Sequence, residues 1–333
     1  MAESARRAAE LRAVVPQEEF RRALEAGQLA LHYQPIVALD SGRIRGAEAL
    51  LRWRHPAGGL LMPDDFLPAI AHSPVMRLAT QWVLTEACTR AASWTNRRVA
   101  VNVSASDVVR ADFVADVTRA LDVSGLEPDK LGVELTEHAV VQDLQSAVRA
   151  LSALREMGVQ VSLDDFGTGY SSLFYLRELP ITEVKIDRTF IDRVDADDEN
   201  AAIVDSVIRL ARTVGVSAVA EGVERAAQAS LLMSMGCPAG QGYLWGRPEA
   251  DPDLARRAMP LPEPPARRRR RRLADSRGES DEAMDRISAL LAAGASLHTI
   301  AAALNRDGVR SARGTRWTAA AVAHAMQAEA PLS

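Results

Sequence analysis

Histidine and cysteine are scarce in this 333-residue chain, and neither falls into a metal-binding spacing. The six histidines, His32, His55, His72, His138, His298 and His324, form no pair of the kind that holds zinc on a helix. Cys88 and Cys237 stand far apart, which excludes a disulfide scaffold and fits a reducing compartment. Long apolar runs are also missing. The most apolar long stretch, 201–223, is broken by Asp205, Arg209 and Arg212, so no segment reads as a membrane span. The N-terminus, Met-Ala-Glu-Ser-Ala-Arg-Arg, lacks the apolar block of a signal peptide. A cytoplasmic protein with no membrane partner is expected. No long-period repeat is visible. Hydrophobic residues at 47% and charged residues at 25% are ordinary for a globular chain.

What is present is unevenly spread. From residue 261 on there is no lysine, and 12 arginines face 8 acidic residues; the preceding part has 28 basic against 36 acidic residues. The net charge of -4 therefore divides into an acidic body and a basic tail, which suggests two modules with different partners. Residues 1–15, rich in Ala, Arg and Glu, read as an N-terminal tether. Residues 16–250 read as one large domain. Residues 251–280 form a linker in which Leu261-Pro-Glu-Pro-Pro-Ala266 precedes six arginines, Arg267–Arg272. Proline stiffens such a segment and like charges extend it. Residues 281–329 read as a small all-α module of three helices, at 281–291, 296–305 and 318–329.

Within the large domain, strands are expected at 31–37, 43–48, 98–103, 131–135, 159–164, 183–186, 217–221 and 240–244. Helices fill most gaps, at 69–93, 107–124, 144–157, 199–214 and 226–235. Alternating strand and helix implies a parallel sheet with helices packed outside. About eight strands in ~230 residues suit an α/β fold of the (β/α)8 TIM-barrel type. An open doubly wound sheet is the alternative.

Seven of these strands include or end with a polar residue able to ligate metal or move a proton. They are Glu48, Asn102, Glu134, Asp164 with Asp165, Lys185, Glu221 and Gln241. In a barrel, the C-terminal strand ends converge on one mouth, where active sites are built. Carboxylates and an amide, with no His or Cys, make a hard oxygen site suited to Mg²⁺ or Mn²⁺. Two such ions favour attack on a phosphodiester, with a lysine to neutralise charge and a carboxylate to take the water's proton. The plainer reading of any one acid is a helix cap, although caps are commonly Ser, Thr or Asn, and a lysine and a glutamine would not join such a ring. In Asp164-Asp-Phe-Gly-Thr-Gly169 the glycines permit close backbone approach, either as a mobile loop over a ligand or as a plain tight turn.

Together these residues resemble a family. Tyr33-Gln-Pro-Ile-Val37, Glu48-Ala-Leu-Leu-Arg-Trp53, Asn102-Val-Ser104, Glu134-Leu-Thr-Glu137, Asp164-Asp-Phe-Gly-Thr-Gly169, Lys185-Ile-Asp187, Ala220-Glu-Gly-Val-Glu224 and Gln241-Gly-Tyr243 look like the EAL domain of cyclic di-GMP phosphodiesterases, in order over about residues 16–248. The resemblance implies a barrel with its first strand antiparallel, and hydrolysis of cyclic di-GMP to linear pGpG. It implies two Mg²⁺ or Mn²⁺ ions held by Glu48, Asn102, Glu134, Asp164 and Asp165, with Glu221 a metal-site residue and general base. Lys185 would position the attacking water and Gln241 would support the water network. Gln34 and Arg52 would contact the ligand; a guanidinium fork suits phosphate oxygens on chemistry alone. Glu137 would hold the 165–173 loop, which lies near a homodimer contact in the family. The chain departs from the pattern at Ile70-Ala71 and Pro74, where altered packing or substrate-loop shape is expected rather than loss of activity.

The segment Ser296-Leu-His-Thr-Ile-Ala-Ala-Ala-Leu-Asn305, with Gly308 to Trp317 after it, resembles the helix-turn-helix of serine recombinases. Its expected core includes Ile287, Leu290, Leu291, Leu297, Ile300, Leu304, Val309, Trp317, Val322 and Met326. The tail, residues 267–329, reads either as a DNA-binding module, with Arg267–Arg272, Arg310, Arg313 and Arg316 on phosphates, or as a solvated linker and a partner-docking bundle. The barrel itself could cut cyclic di-GMP, or sense it without cutting.

Overall fold

The computed structural model describes residues 17–57, 59–71, 73–136, 143–167 and 172–250, and within the tail 286–287, 289–290, 295, 297–309, 316–318 and 322. The chain divides into two compact units, Met1–Glu263 and Pro264–Ser333.

Among the described residues, nine strands form the sheet of the first unit: β1 (Leu29–Ala38), β2 (Ile44–His55), β3 (Gly59–Leu61), β4 (Arg98–Asn102), β5 (Leu131–Thr136), β6 (Gln160–Phe166), β7 (Glu183–Ile186), β8 (Ser217–Ala220) and β9 (Ala239–Gln241). Their order is β1-β9-β8-β7-β6-β5-β4-β2-β3, and β1 also pairs with β2. That pairing closes an eight-stranded barrel from β1, β2 and β4 to β9, with β3 appended as a hairpin on β2. Closure excludes the open sheet. Strand β1 runs antiparallel to both of its neighbours, and the remaining barrel pairs are parallel.

In the parallel strands, apolar residues at alternate positions point to one face and are buried. Val99, Val101, Leu131, Val133, Val161, Leu163, Val184 and Val219 are all fully buried or within 1% of it. Helices cover the outside. Helix Leu144–Met157 starts where Asp143 accepts from the Ser146 amide and stops at Gly158, whose φ of 102° ends the helical path.

Several elements differ from the sequence reading: the single helix expected at 107–124 is two, Ala105–Val108 and Phe113–Ser124, and β3 was not expected. Strand β2 runs on to His55 rather than ending at Glu48, because it pairs with β1 as far as Trp53 and then with β3. The single helix expected at 69–93 is two, Pro63–Ile70 and Pro74–Ala91. Pro74 takes the first position of the second helix, where the missing N–H is harmless. Strand β9 ends at Gln241 rather than Leu244, since the chain turns back and the Leu244 amide donates to Val223 O. The short helices Gln17–Glu25, Ser172–Glu178 and Arg188–Ile191 were not expected.

In the second unit, helix Leu297–Arg306 places Ile300, Ala301 and Leu304 in a core with Ile287, Trp317 and Val322; Leu290, Ala295 and Val309 pack against it. The Asn305 side chain clamps Trp317, its Nδ2 donating to the Trp317 carbonyl and its Oδ1 accepting from the Trp317 amide, both at 2.8 Å. The tether 1–15, the whole linker 251–280 with its Arg267–Arg272 run, Arg310, Arg313, Leu291, Met326 and nearly all of 318–329 lie outside the described residues. Among the described residues, no helix is long and apolar enough to cross a membrane.

Candidate active site

The barrel carries its polar residues to one mouth. Asn102 ends β4 and pairs in register with Glu134 on β5. Asp164 lies opposite Thr136, two residues on from Glu134 along β5. Lys185 on β7 pairs with Val219, and Glu221 follows β8 directly.

Lys185 is one of two lysines in the chain, the other being Lys130. It is 1% exposed. Its Nζ lies 2.7 Å from Glu134 Oε2, 2.7 Å from Glu221 Oε1, 3.4 Å from Glu48 Oε2 and 3.5 Å from Asp164 Oδ1. Glu48 also accepts from Asn102 Nδ2 at 2.6 Å and from Gln241 Nε2 at 2.7 Å. None of these four carboxylates caps a helix, whereas Asp143, Asp187 and Asp197 do.

Asp164 and Asp165 are sequence neighbours, and neighbours on a regular strand face opposite sides. Here the β6–β7 register shifts between Leu163 and Phe166. Asp165 adopts a φ of 55°, a left-handed conformation that aspartate tolerates better than most residues. The irregularity brings both carboxylates together. Asp164, Asp165 and Glu221 form a group whose oxygens lie within 4.8 Å of one another, a geometry that can hold a metal ion.

One ammonium cannot neutralise this set. Burial pushes Glu134 well above the usual carboxylate range, despite the Lys185 charge. Burial likewise pushes Glu221 up to about 7. For Glu48, burial works upward, but the charge of Lys185 and the bonds from Gln241 and Asn102 outweigh it and hold the group low. Burial works to lower Lys185, but Glu134, Glu221, Glu48 and Asp164 together hold it well above its ordinary value. Protons thus take up charge that divalent cations could neutralise instead. Glu134 Oε1 and Gln241 Oε1 are buried with no hydrogen-bond partner. Unsatisfied buried oxygens in an all-oxygen donor set fit a hard cation.

A cleft of about 230 Å³ opens here, lined in part by Gln34, Glu48, Asp164, Lys185, Glu221 and Gln241. Arg188, Glu224 and Tyr243 also line it, and the sequence reading gave them no role. Each follows a strand end by a few residues, which was the available signal. Arg247 lies over the Tyr243 ring, 4.1 Å from its centroid. Arg52 is not part of this lining. It sits two residues beyond Leu50 on β2, buried, with Nη1 donating to its neighbour's carbonyl, Leu51 O, at 2.7 Å. Glu137 lies outside the described residues.

A closed barrel with an antiparallel entry strand and a lysine-centred acidic mouth defines a class of metal-binding (β/α)-barrel proteins. Residues 17–248 match the EAL domain family, and the chain belongs to it. The chain is 45% identical over 235 residues to the bifunctional diguanylate cyclase/cyclic di-GMP phosphodiesterase MucR of Pseudomonas aeruginosa, covering 69% of this chain and 34% of that protein. The cyclic di-GMP phosphodiesterase NbdA of the same organism is 43% identical over 237 residues, 70% of this chain and 30% of NbdA. The chain thus spans about a third of the length of these relatives. Among solved structures, the c-di-GMP complex of the PaMucR phosphodiesterase agrees with a TM-score of 0.66 at 44% identity, covering 70% of this chain and 96% of that one. The EAL enzyme Bd1971 in its cAMP- and cyclic-di-GMP-bound form gives 0.68 at 31% identity, over 76% of this chain and 68% of that one. The family match ends at residue 248 and lends no support to the recombinase-like resemblance of the tail.

Proposed function

We propose that the barrel hydrolyses cyclic di-GMP to linear pGpG. The observation that carries this reading is the buried Lys185 ammonium ringed by Glu48, Glu134, Asp164 and Glu221 in a chain of the EAL family. Glu48, Asn102, Glu134, Asp164, Asp165 and Glu221 would hold two Mg²⁺ or Mn²⁺ ions. Those ions would supply Lewis acidity to the phosphodiester and lower the pKa of water.

The chain's own residues do the rest. Asn102 spends its Nδ2 on Glu48, which leaves Oδ1 for a cation. Glu221, directly after β8 and 2.7 Å from Lys185 Nζ, would accept the proton of the attacking water. Lys185 holds the surrounding carboxylates in place and offers positive charge where the transition state gains negative charge. Arg52 and Gln34 are candidates for ligand contact. The large domain of residues 16–250 is the catalytic unit, joined by a linker to the tail.

The test is hydrolysis of cyclic di-GMP by the purified chain with Mg²⁺ or Mn²⁺, beside Glu48→Ala. Linear product from the wild type alone is expected. No product, with tight nucleotide binding retained, would overturn catalysis and leave a non-hydrolysing cyclic di-GMP sensor.

A further inference from the structure

The amide of Gln241 is oriented by a chain of donors and acceptors that starts away from the metal-site residues. Strand β1 lies between β9 and β2. Gln34 on β1 pairs directly with Glu48 on β2, and Ile36, two residues on, pairs with Gln241 on β9. The Gln241 side chain therefore reaches Glu48 across the strand that carries Gln34.

Gln34 Nε2 donates to the carbonyl of Gly246 at 3.3 Å. That bond fixes which end of the Gln34 amide faces Gln241, and Gln34 Oε1 accepts from Gln241 Nε2 at 3.0 Å. The same Nε2 donates to Glu48 Oε2 at 2.7 Å. A primary amide has two N–H donors, so both are spent. Turning the Gln241 amide over would set its oxygen against the Gln34 oxygen and the Glu48 carboxylate, with no proton between them. Gln241 is 4% exposed, so the lost bonds could not readily be made up by water. The polarity set at Gly246 thus passes through two amides to Glu48, and leaves Gln241 Oε1 as the amide's unsatisfied acceptor.

We infer that Gln34 is a positioning residue of the metal site: it orients Gln241, which in turn holds Glu48. This rests on the metal-dependent reading above, and it gives Gln34 a different role from the ligand contact the family resemblance implies. A residue acting through Gln241 has no effect once Gln241 is gone, and it changes cation binding without any nucleotide present.

The experiment is calorimetric titration of the full chain with Mn²⁺ alone, for the wild type, Gln34→Met, Gln241→Met and the double variant, each checked for folding by near-UV circular dichroism. Methionine keeps the approximate size and removes both hydrogen-bonding functions; Gln34→Leu substitutes where the methionine variant does not fold. Each single variant is expected to weaken Mn²⁺ binding by about 10-fold, the lower end for groups that orient metal ligands. The double variant is expected to bind no worse than Gln241→Met. Unchanged Mn²⁺ affinity in Gln34→Met, with a raised KM for cyclic di-GMP, would make Gln34 a substrate contact and overturn the inference. Multiplicative losses in the double variant would overturn it too. Failure of the wild type to bind Mn²⁺ would instead remove the metal-dependent reading on which it stands.

Discussion

At the scale of single residues, the site is governed by how charge is shared. Glu221, pushed up to about 7 by burial, illustrates this. A protonated carboxyl cannot ligate a cation, so binding must displace its proton. Mn²⁺ affinity should therefore rise as pH climbs through about 7. Titrations at pH 6 and pH 8 in buffers of different ionisation enthalpy measure both the affinity and the protons released; equal affinities with no proton release would refute this. Without metal the sign for folding is opposite. A carboxyl pKa raised in the folded state binds its proton more tightly than the unfolded chain does, so its contribution favours folding on the acidic side. That contribution is lost as pH climbs from 4.5 to about 7. Most of the candidate site residues were legible in the sequence because they stand at or near strand ends, whereas Glu48 lies inside β2. The way Asp164 and Asp165 come together was not legible. Strand alternation separates neighbours, and only the left-handed turn at Asp165 reunites them.

At the scale of elements, the sequence showed the eight barrel strands and most of the longer helices but not all their ends, and it missed β3 and several short helices. Strand β2 was cut short at Glu48 because Arg52 and Arg54 interrupt its apolar pattern. Leu51 and Trp53 nonetheless continue the buried face begun by Ala47 and Ala49. The long β1–β2 pairing carries Glu48, which stands opposite Gln34. Trp53 anchors it, packing edge-on against Phe20 at 5.5 Å and Phe66 at 5.7 Å between ring centroids. Its indole N–H donates to Gln28. The helix Gln17–Glu25 that supplies Phe20 is short and highly charged, so its helical pattern was easy to overlook. Trp53→Ala should cost roughly 3–5 kcal/mol, the usual range for removing a large buried aromatic side chain. A urea titration checks it, and an unchanged midpoint would mean that the cluster does not hold the hairpin.

At the scale of the whole molecule, the acidic body and basic tail read from charge correspond to two compact units divided near residue 263. The tail has its own small apolar core around Leu304 and Trp317. Deleting residues 264–333 should therefore leave the thermal unfolding and hydrolysis of the barrel unchanged. If Arg267–Arg272 grip phosphates, the full chain should be retained on duplex DNA at low salt and released as salt rises, and the deletion should abolish retention. A loss of hydrolysis on deletion would show that the tail supports catalysis. The scarcity of lysine has a use of its own. Arginine supplies almost all the positive charge, so a chain grown with isotope-labelled lysine carries two labelled side chains, Lys130 and Lys185. Lys130 sits beside Glu127 at the surface, while Lys185 is enclosed by four carboxylates. In a nuclear magnetic resonance spectrum the first is a built-in reference, and the second reports on the filling of the acidic mouth.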